Sequence, residues 1–229
     1  MQKNRFAPSP AVMAQRKSPL SSLDFFPTPP WATRAFLNGV MAPRFPGLFS
    51  MRCWEPASGM GHMSGPLKET FGRVFESDVH DYGQGAVVGS FVGDGPDVVE
   101  WPFHEGPDWV ITNPPFNLAR EFFHRAAKEA THGIAFLVRT AWLESSVRYT
   151  EIFEKTPPTL IAQYAERVAM VQGQWNPQAV SATAYCWVVW DMRTDTSSTE
   201  FVWIPPSAKV DFSKVSDIKQ FAGLKALAE

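Results

Sequence analysis

The chain has 229 residues, 45% of them hydrophobic and 14% aromatic, enough to bury the core of a single α/β domain. A formal net charge of −2 excludes a protein that holds nucleic acid through bulk basic charge. Cys53 and Cys186 lie in apolar stretches without a Cys-x-x-Cys spacing, and the histidines are scattered, so no disulfide framework and no metal site is expected. There is no apolar run of about 18 residues, and Pro8, Pro10 and Pro19 interrupt the start of the chain, so the reading is a cytoplasmic protein with neither membrane span nor secretory leader.

Residues 1–22 hold Lys3, Arg5, Arg16 and Lys17 with no acid and read as a flexible basic tail. Residues 23–204 read as one domain and 205–229 as a loop with a short helix. The aromatic and Pro-rich loop from Phe25 enters a helix over 29–41. Strands are expected near 51–55, 73–77, 109–113 and 134–139, with helices over 64–71 and 117–131 between them. Such alternation predicts a mostly parallel sheet with helices on both faces. The acidic link 79–108 carries turns at Tyr82-Gly83-Gln84-Gly85 and Gly93-Asp94-Gly95-Pro96, and Asp97-Val98-Val99 suits a short strand. Ile161 to Val171 and Ala182 to Trp190, joined by the loop from Gln172, read as a closing antiparallel hairpin.

The turn Asn113-Pro114-Pro115-Phe116 after a buried strand carries the most specific chemistry. Its prolines lack backbone donors and fix two φ angles, which leaves rigidly aimed carbonyls. The Asn113 side-chain oxygen and the Pro114 carbonyl can then both accept from one planar NH2 group, while Phe116 offers a stacking face. The structural alternative is an ordinary Pro-Pro turn. Upstream, Glu55 closes a strand, Gly59 and Gly61 allow positive φ and close approach to a ligand, and Asp78 closes the next strand about 20 residues later, where a carboxylate meets ribose hydroxyls.

In this order the segments resemble the motifs of the amino-methyltransferases, above all the DNA adenine-N6 methyltransferases of the small phage and prophage type. Asn113 to Phe116 is similar to motif IV. Glu55-Pro56-Ala57-Ser58-Gly59-Met60-Gly61 is similar to motif I, with Ser58 where Cys or Gly is frequent. Phe25 to Arg34 resembles motif X, the arm over the methionine end of the cofactor. The resemblance covers residues 25 to about 204 and implies a Rossmann-like class I fold, S-adenosyl-L-methionine as cofactor, DNA as partner, and methyl transfer to adenine N6. It implies catalytic roles for Asn113, Pro114, Pro115 and Phe116, and cofactor contacts from Thr28, Glu55, Pro56, Ala57, Gly59, Gly61, Asp78, Asp97 and Asn113. Asp94 competes with Asp97 for the contact to the cofactor adenine.

Arg148, in the polar insert 144–158 beyond a strand's carboxyl end, and Trp175 are expected at the substrate, and Phe116 is expected to stack on its base. Most of the rings around them (Tyr185, Trp187, Trp190) read as core. Outside the short insert 144–158, the loop 172–181 and the tails there is no candidate target-recognition region, so relaxed specificity or a very short recognition sequence is expected. The alternatives are transfer to another amine or amide, an rRNA base or a protein glutamine, and a non-catalytic DNA-binding or anti-restriction protein on the same fold.

Overall fold

The computed structural model describes residues 24–222, so the basic tail expected at 1–22 lies outside the described residues. Among the described residues eight strands form one sheet: β1 Arg52–Glu55, β2 Arg73–Asp78, β3 Val87–Val88, β4 Trp109–Thr112, β5 Gly133–Arg139, β6 Leu160–Tyr164, β7 Tyr185–Asp191 and β8 Glu200–Ile204. Their order is β3-β2-β1-β4-β5-β7-β6-β8. All neighbours pair in parallel except β7, which runs against both β5 and β6. The mostly parallel sheet and its antiparallel closing pair are the architecture expected from the sequence. None of the described helices is long and apolar enough to cross a membrane.

Helices cover both faces because the central strands are apolar on both. In β5, Ala135 and Leu137 enter one core with α1 (Pro30–Phe36), while Ile134, Phe136 and Val138 enter the other. The path from α1 continues through a wide turn over 37–41 into α2 (Ala42–Arg44), and α3 (Ser64–Thr70) packs on the same side as α1. On the opposite face α4 (Ala119–Glu129) buries Phe122, Phe123 and Ala126 on one stripe, each large ring contributing roughly 2 kcal/mol. Pro30 opens α1 at a position where a missing N–H costs nothing.

Three details differ from the sequence-based expectation. No strand forms at 97–99; Val98 makes one isolated bridge to Ser90, and the pairing with β2 is made by Val87 and Val88. Gly83 and Gly85, both at positive φ, reverse the chain early and bring residues 87–88 alongside β2. At the other end, β6 stops at Tyr164, short of Val171, and β8 extends the sheet beyond it.

The segment after β8 is held to the core by charge. After the short turn α5 (Ser146–Arg148), the last helices among the described residues are α6 (Ala208–Phe212) and α7 (Val215–Phe221). The buried Arg34 guanidinium donates to both Asp217 oxygens at 2.6 and 2.9 Å, to both Glu69 oxygens at 2.8 Å, and to the Phe212 carbonyl at 3.4 Å. This fork spends all of its N–H donors and ties α1 to α3 and α7.

Candidate active site

The strand order reverses between β1 and β4, so the loops leaving their carboxyl ends diverge and open a crevice. The cleft there holds about 880 Å³, part of it open to solvent. Glu55 to Gly59 line it from β1, Asp78 from β2 and Asn113 to Phe116 from β4, with the arm Asp24 to Thr28 forming a further wall.

Gly59 takes φ +52°, and its N–H donates to Asp78 Oδ2 at 2.8 Å; the other Asp78 oxygen accepts from the His80 N–H at 3.0 Å. Burial raises the Asp78 carboxyl above its ordinary range, against these two hydrogen bonds. A Cβ at Gly59 would lie 2.6 Å from the Phe25 ring. Gly59→Ala is therefore expected to lower stability by about 1–2 kcal/mol, the cost of left-handed backbone for an L side chain, with a further penalty from the displaced ring. Denaturant unfolding measures it. Glu55 is buried and accepts a hydrogen bond from the Ser64 hydroxyl, and desolvation pushes its carboxyl well above the ordinary range. The neighbouring Ser58 hydroxyl is buried with no partner.

Asn113 is fixed through its amide nitrogen. Nδ2 donates to the Phe26 carbonyl at 3.1 Å and to Thr28 Oγ1 at 3.2 Å, with Met170 Sδ at 3.6 Å. A carbonyl and a thioether can only accept, and this decides which end of the amide is nitrogen. Oδ1 is consequently left buried without a hydrogen-bond partner. Such an acceptor costs about 1–3 kcal/mol while unpaired, a cost that a ligand or water donor removes. The Phe116 N–H donates to Asp24 Oδ2 at 2.9 Å, pinning the turn to the arm, and Phe26 packs against the Phe116 ring at 5.3 Å between centroids.

No family model matches the chain, and no curated protein matches it. Solved structures do. A protein assigned as a class I S-adenosylmethionine-dependent methyltransferase from Listeria monocytogenes is 13% identical, with a TM-score of 0.53 over 82% of this chain and 70% of its own. The methyltransferase subunit of a type I restriction-modification system from Streptococcus thermophilus is 10% identical, with a TM-score of 0.56 over 78% of this chain and 47% of its own. A modification subunit assigned to a type I restriction enzyme of Vibrio vulnificus is 12% identical, with a TM-score of 0.53 over 86% of this chain and 51% of its own. The fold is that of the class I methyltransferases. The chain spans about half the length of the two restriction-modification subunits.

Within this methyltransferase fold the structure gathers Thr28, Glu55, Pro56, Ala57, Gly59, Asp78, Asn113, Pro114, Pro115 and Phe116 around one cleft. Gly61 takes φ +83° in the same loop, with open space where a Cβ would stand. Asp97 and Asp94 lie elsewhere, both exposed. The loop folds back so that Ser90 N donates to the Asp97 carbonyl at 2.8 Å; the inner limb Ser90, Phe91 and Val92 lines the cleft, and Asp97 sits on the outer limb. Arg125 of α4 locks both limbs by donating to the Phe91 and Val99 carbonyls at 2.7 Å each. Arg148 is also outside the cleft. Its guanidinium donates to the Trp142 and Glu144 carbonyls and stands over the Trp142 ring, so it clamps the insert. Trp175 is buried behind His62, ring centroids 6.4 Å apart.

Asp24, His62, Tyr82 and the stretch Ser90–Val92 line the cleft without having been marked by sequence, alongside Phe25 of the arm. The Phe25 to Arg34 and Glu55 to Gly61 motifs adjoin Asp24 and His62, while nothing in the sequence pointed to Ser90–Val92. Both His62 ring nitrogens are buried without partners, the ring stacks on Phe221 at 4.2 Å, and burial pushes its pKa from 6.5 down to about 4. A depressed histidine contributes stability that is present above pH 6.5 and lost as pH falls toward about 4. His62→Phe is expected to keep the stack and flatten the acid limb by up to about 1.4 kcal/mol per pH unit. Urea unfolding across that window checks the change.

Proposed function

We propose that this chain transfers a methyl group from S-adenosyl-L-methionine to the N6 amine of adenine in DNA, with a relaxed or very short recognition sequence. The observation that carries the reading is the buried, unpartnered Asn113 Oδ1, held in one orientation at the edge of the cleft. It is an acceptor prepared for an N–H donor.

The cleft suits the cofactor in charge and shape. Acidic side chains line it at Asp24, Asp78 and the deeply buried Glu55, whose burial favours its neutral form, and no Lys or Arg lines it among the described residues, which favours a cationic sulfonium. Phe25, Tyr82 and Phe91 supply apolar walls, and the orphaned Ser58 hydroxyl is available to a polar ligand group. In this reading Asp78 meets the ribose hydroxyls and Thr28 the amino-acid end. When bound, S-adenosylmethionine supplies an electrophilic methyl group.

The rest of the chemistry belongs to the protein. Asn113 Oδ1 and the Pro114 carbonyl accept the two amine hydrogens, favouring an sp3-like nitrogen whose lone pair leaves the ring plane. Thr28 and the Phe26 carbonyl preorganise Asn113, so little reorganisation is needed at the moment of reaction. An adenine in duplex DNA must be flipped from the stack to reach this turn, at a cost of a few kcal/mol, which single-stranded substrate avoids. The two restriction-modification subunits that share the fold support DNA as the acceptor. Radiolabelled methyl transfer to DNA, total RNA and protein tests the proposal. Label is expected in DNA at adenine; label confined to RNA or protein overturns the substrate assignment.

A further inference from the structure

Arg139 ends β5, the parallel neighbour of the β4 strand that delivers Asn113, and its guanidinium carbon stands 3.9 Å from the centre of the Phe116 ring. Its Nε is buried without a hydrogen-bond partner. Arg34, Arg44, Arg52, Arg120, Arg125 and Arg193 each meet a carboxylate within 4.0 Å. Like Arg73, Arg148 and Arg167, Arg139 makes no such pair among the described residues, and its guanidinium lies over the Phe116 face.

A guanidinium stacked through its face keeps its in-plane N–H donors, and that planar fork matches the paired oxygens of a phosphate. The placement has a chemical reason. The cleft is lined by Asp24 and Asp78 and by no Lys or Arg among the described residues, a field that suits a sulfonium and repels a polyanion. A nucleotide whose base sits at Asn113 and Phe116 carries its phosphodiester out past these strand ends, and a cation there offsets the repulsion. Resting on the adenine reading above, we propose that Arg139 is a phosphate-binding residue that takes a phosphodiester group of the strand bearing the target base, while its stacking sets the Phe116 ring.

Fluorescence anisotropy with the full chain and labelled single-stranded oligonucleotides of one sequence, as DNA and as RNA, reads the contact directly. Loss of one phosphate contact should lower the slope of log affinity against log salt by about 0.7 in Arg139→Gln and weaken binding several-fold at low salt. Arg139→Lys should keep the wild-type slope and lose part of the affinity, because the charge remains and the fork does not. Unchanged calorimetric affinity for S-adenosylmethionine and an unchanged unfolding midpoint separate these effects from misfolding. If Arg139→Gln does not fold, the lysine variant decides alone: wild-type affinity in it overturns the forked contact. The larger change between the two oligonucleotides shows which polynucleotide is held. A wild-type slope in Arg139→Gln, in a protein that methylates adenine, overturns the phosphate contact and leaves the adenine reading standing. A wild-type protein that neither binds nor methylates either polynucleotide overturns both.

Discussion

On the proposed function, Asn113→Ala is expected to lower turnover about 100-fold or more at saturating cofactor and DNA, the usual loss when one preorganised transition-state hydrogen bond is removed. The substitution deletes the acceptor Oδ1 and leaves the loop from Glu55 to Gly61 in place, so calorimetric affinity for S-adenosylmethionine should stay within a few-fold of wild type. The structure adds a second effect that the motif alone does not show. Nδ2 also holds the arm through the Phe26 carbonyl and Thr28, so stability should fall by about 1 kcal/mol for each of these bonds not replaced by water. The two effects separate cleanly, because a thermal midpoint reports the arm and kcat reports the amine. Wild-type turnover in the alanine protein would sink the site: the turn would then be structural and the methyl acceptor would bind elsewhere.

Asp217→Ala should unfold the protein more easily by about 3–5 kcal/mol, the range for removing one member of a buried ion pair. Arg34 and Asp217 are 5% and 4% exposed, so the guanidinium left behind cannot recover its hydration. Glu69 remains as its partner, but it is more exposed and is shared with Lys214 at 2.8 Å. Asp217→Asn keeps one acceptor oxygen and the volume, and should lose less. Urea midpoints of the two variants measure the difference; a wild-type midpoint for the alanine variant would mean that Glu69 alone satisfies Arg34. The same cluster has an acid dependence. Hydrogen bonds from Arg34, then from Lys214, hold the Glu69 carboxyl below its ordinary 4.5, against partial desolvation. Its contribution is therefore complete above that value and disappears as pH falls through the lowered folded-state pKa.

Both experiments probe one molecule at two depths of legibility. Asn113 announced itself because Pro114 and Pro115 constrain the backbone wherever they stand, and because the apolar run 109–112 makes the preceding strand unmistakable. Gly59 and Gly61 were legible for the same reason: positive φ is a local demand that one residue type meets without strain. Asp217 gave no signal. Its partner is 183 residues away, and no spacing rule links them.

Local chemistry thus determined the central alternation of strands and helices, the turn at Asn113 and the glycine loop, since periodicity, proline and glycine act over a few residues. Tertiary structure decided which side chains face the cleft from the remaining segments. Asp97 sits on the outer limb of its loop because Phe91 is the residue buried against Trp54 and Phe122, and Arg125 locks that choice. Arg148 turned to the carbonyls of its own insert, while Arg139, unremarkable at the end of an apolar strand, came to stand over Phe116. A charged side chain's role depends on which partners the fold brings within about 4 Å, and for Asp97, Arg148 and Arg139 those partners are set by packing between segments distant in sequence.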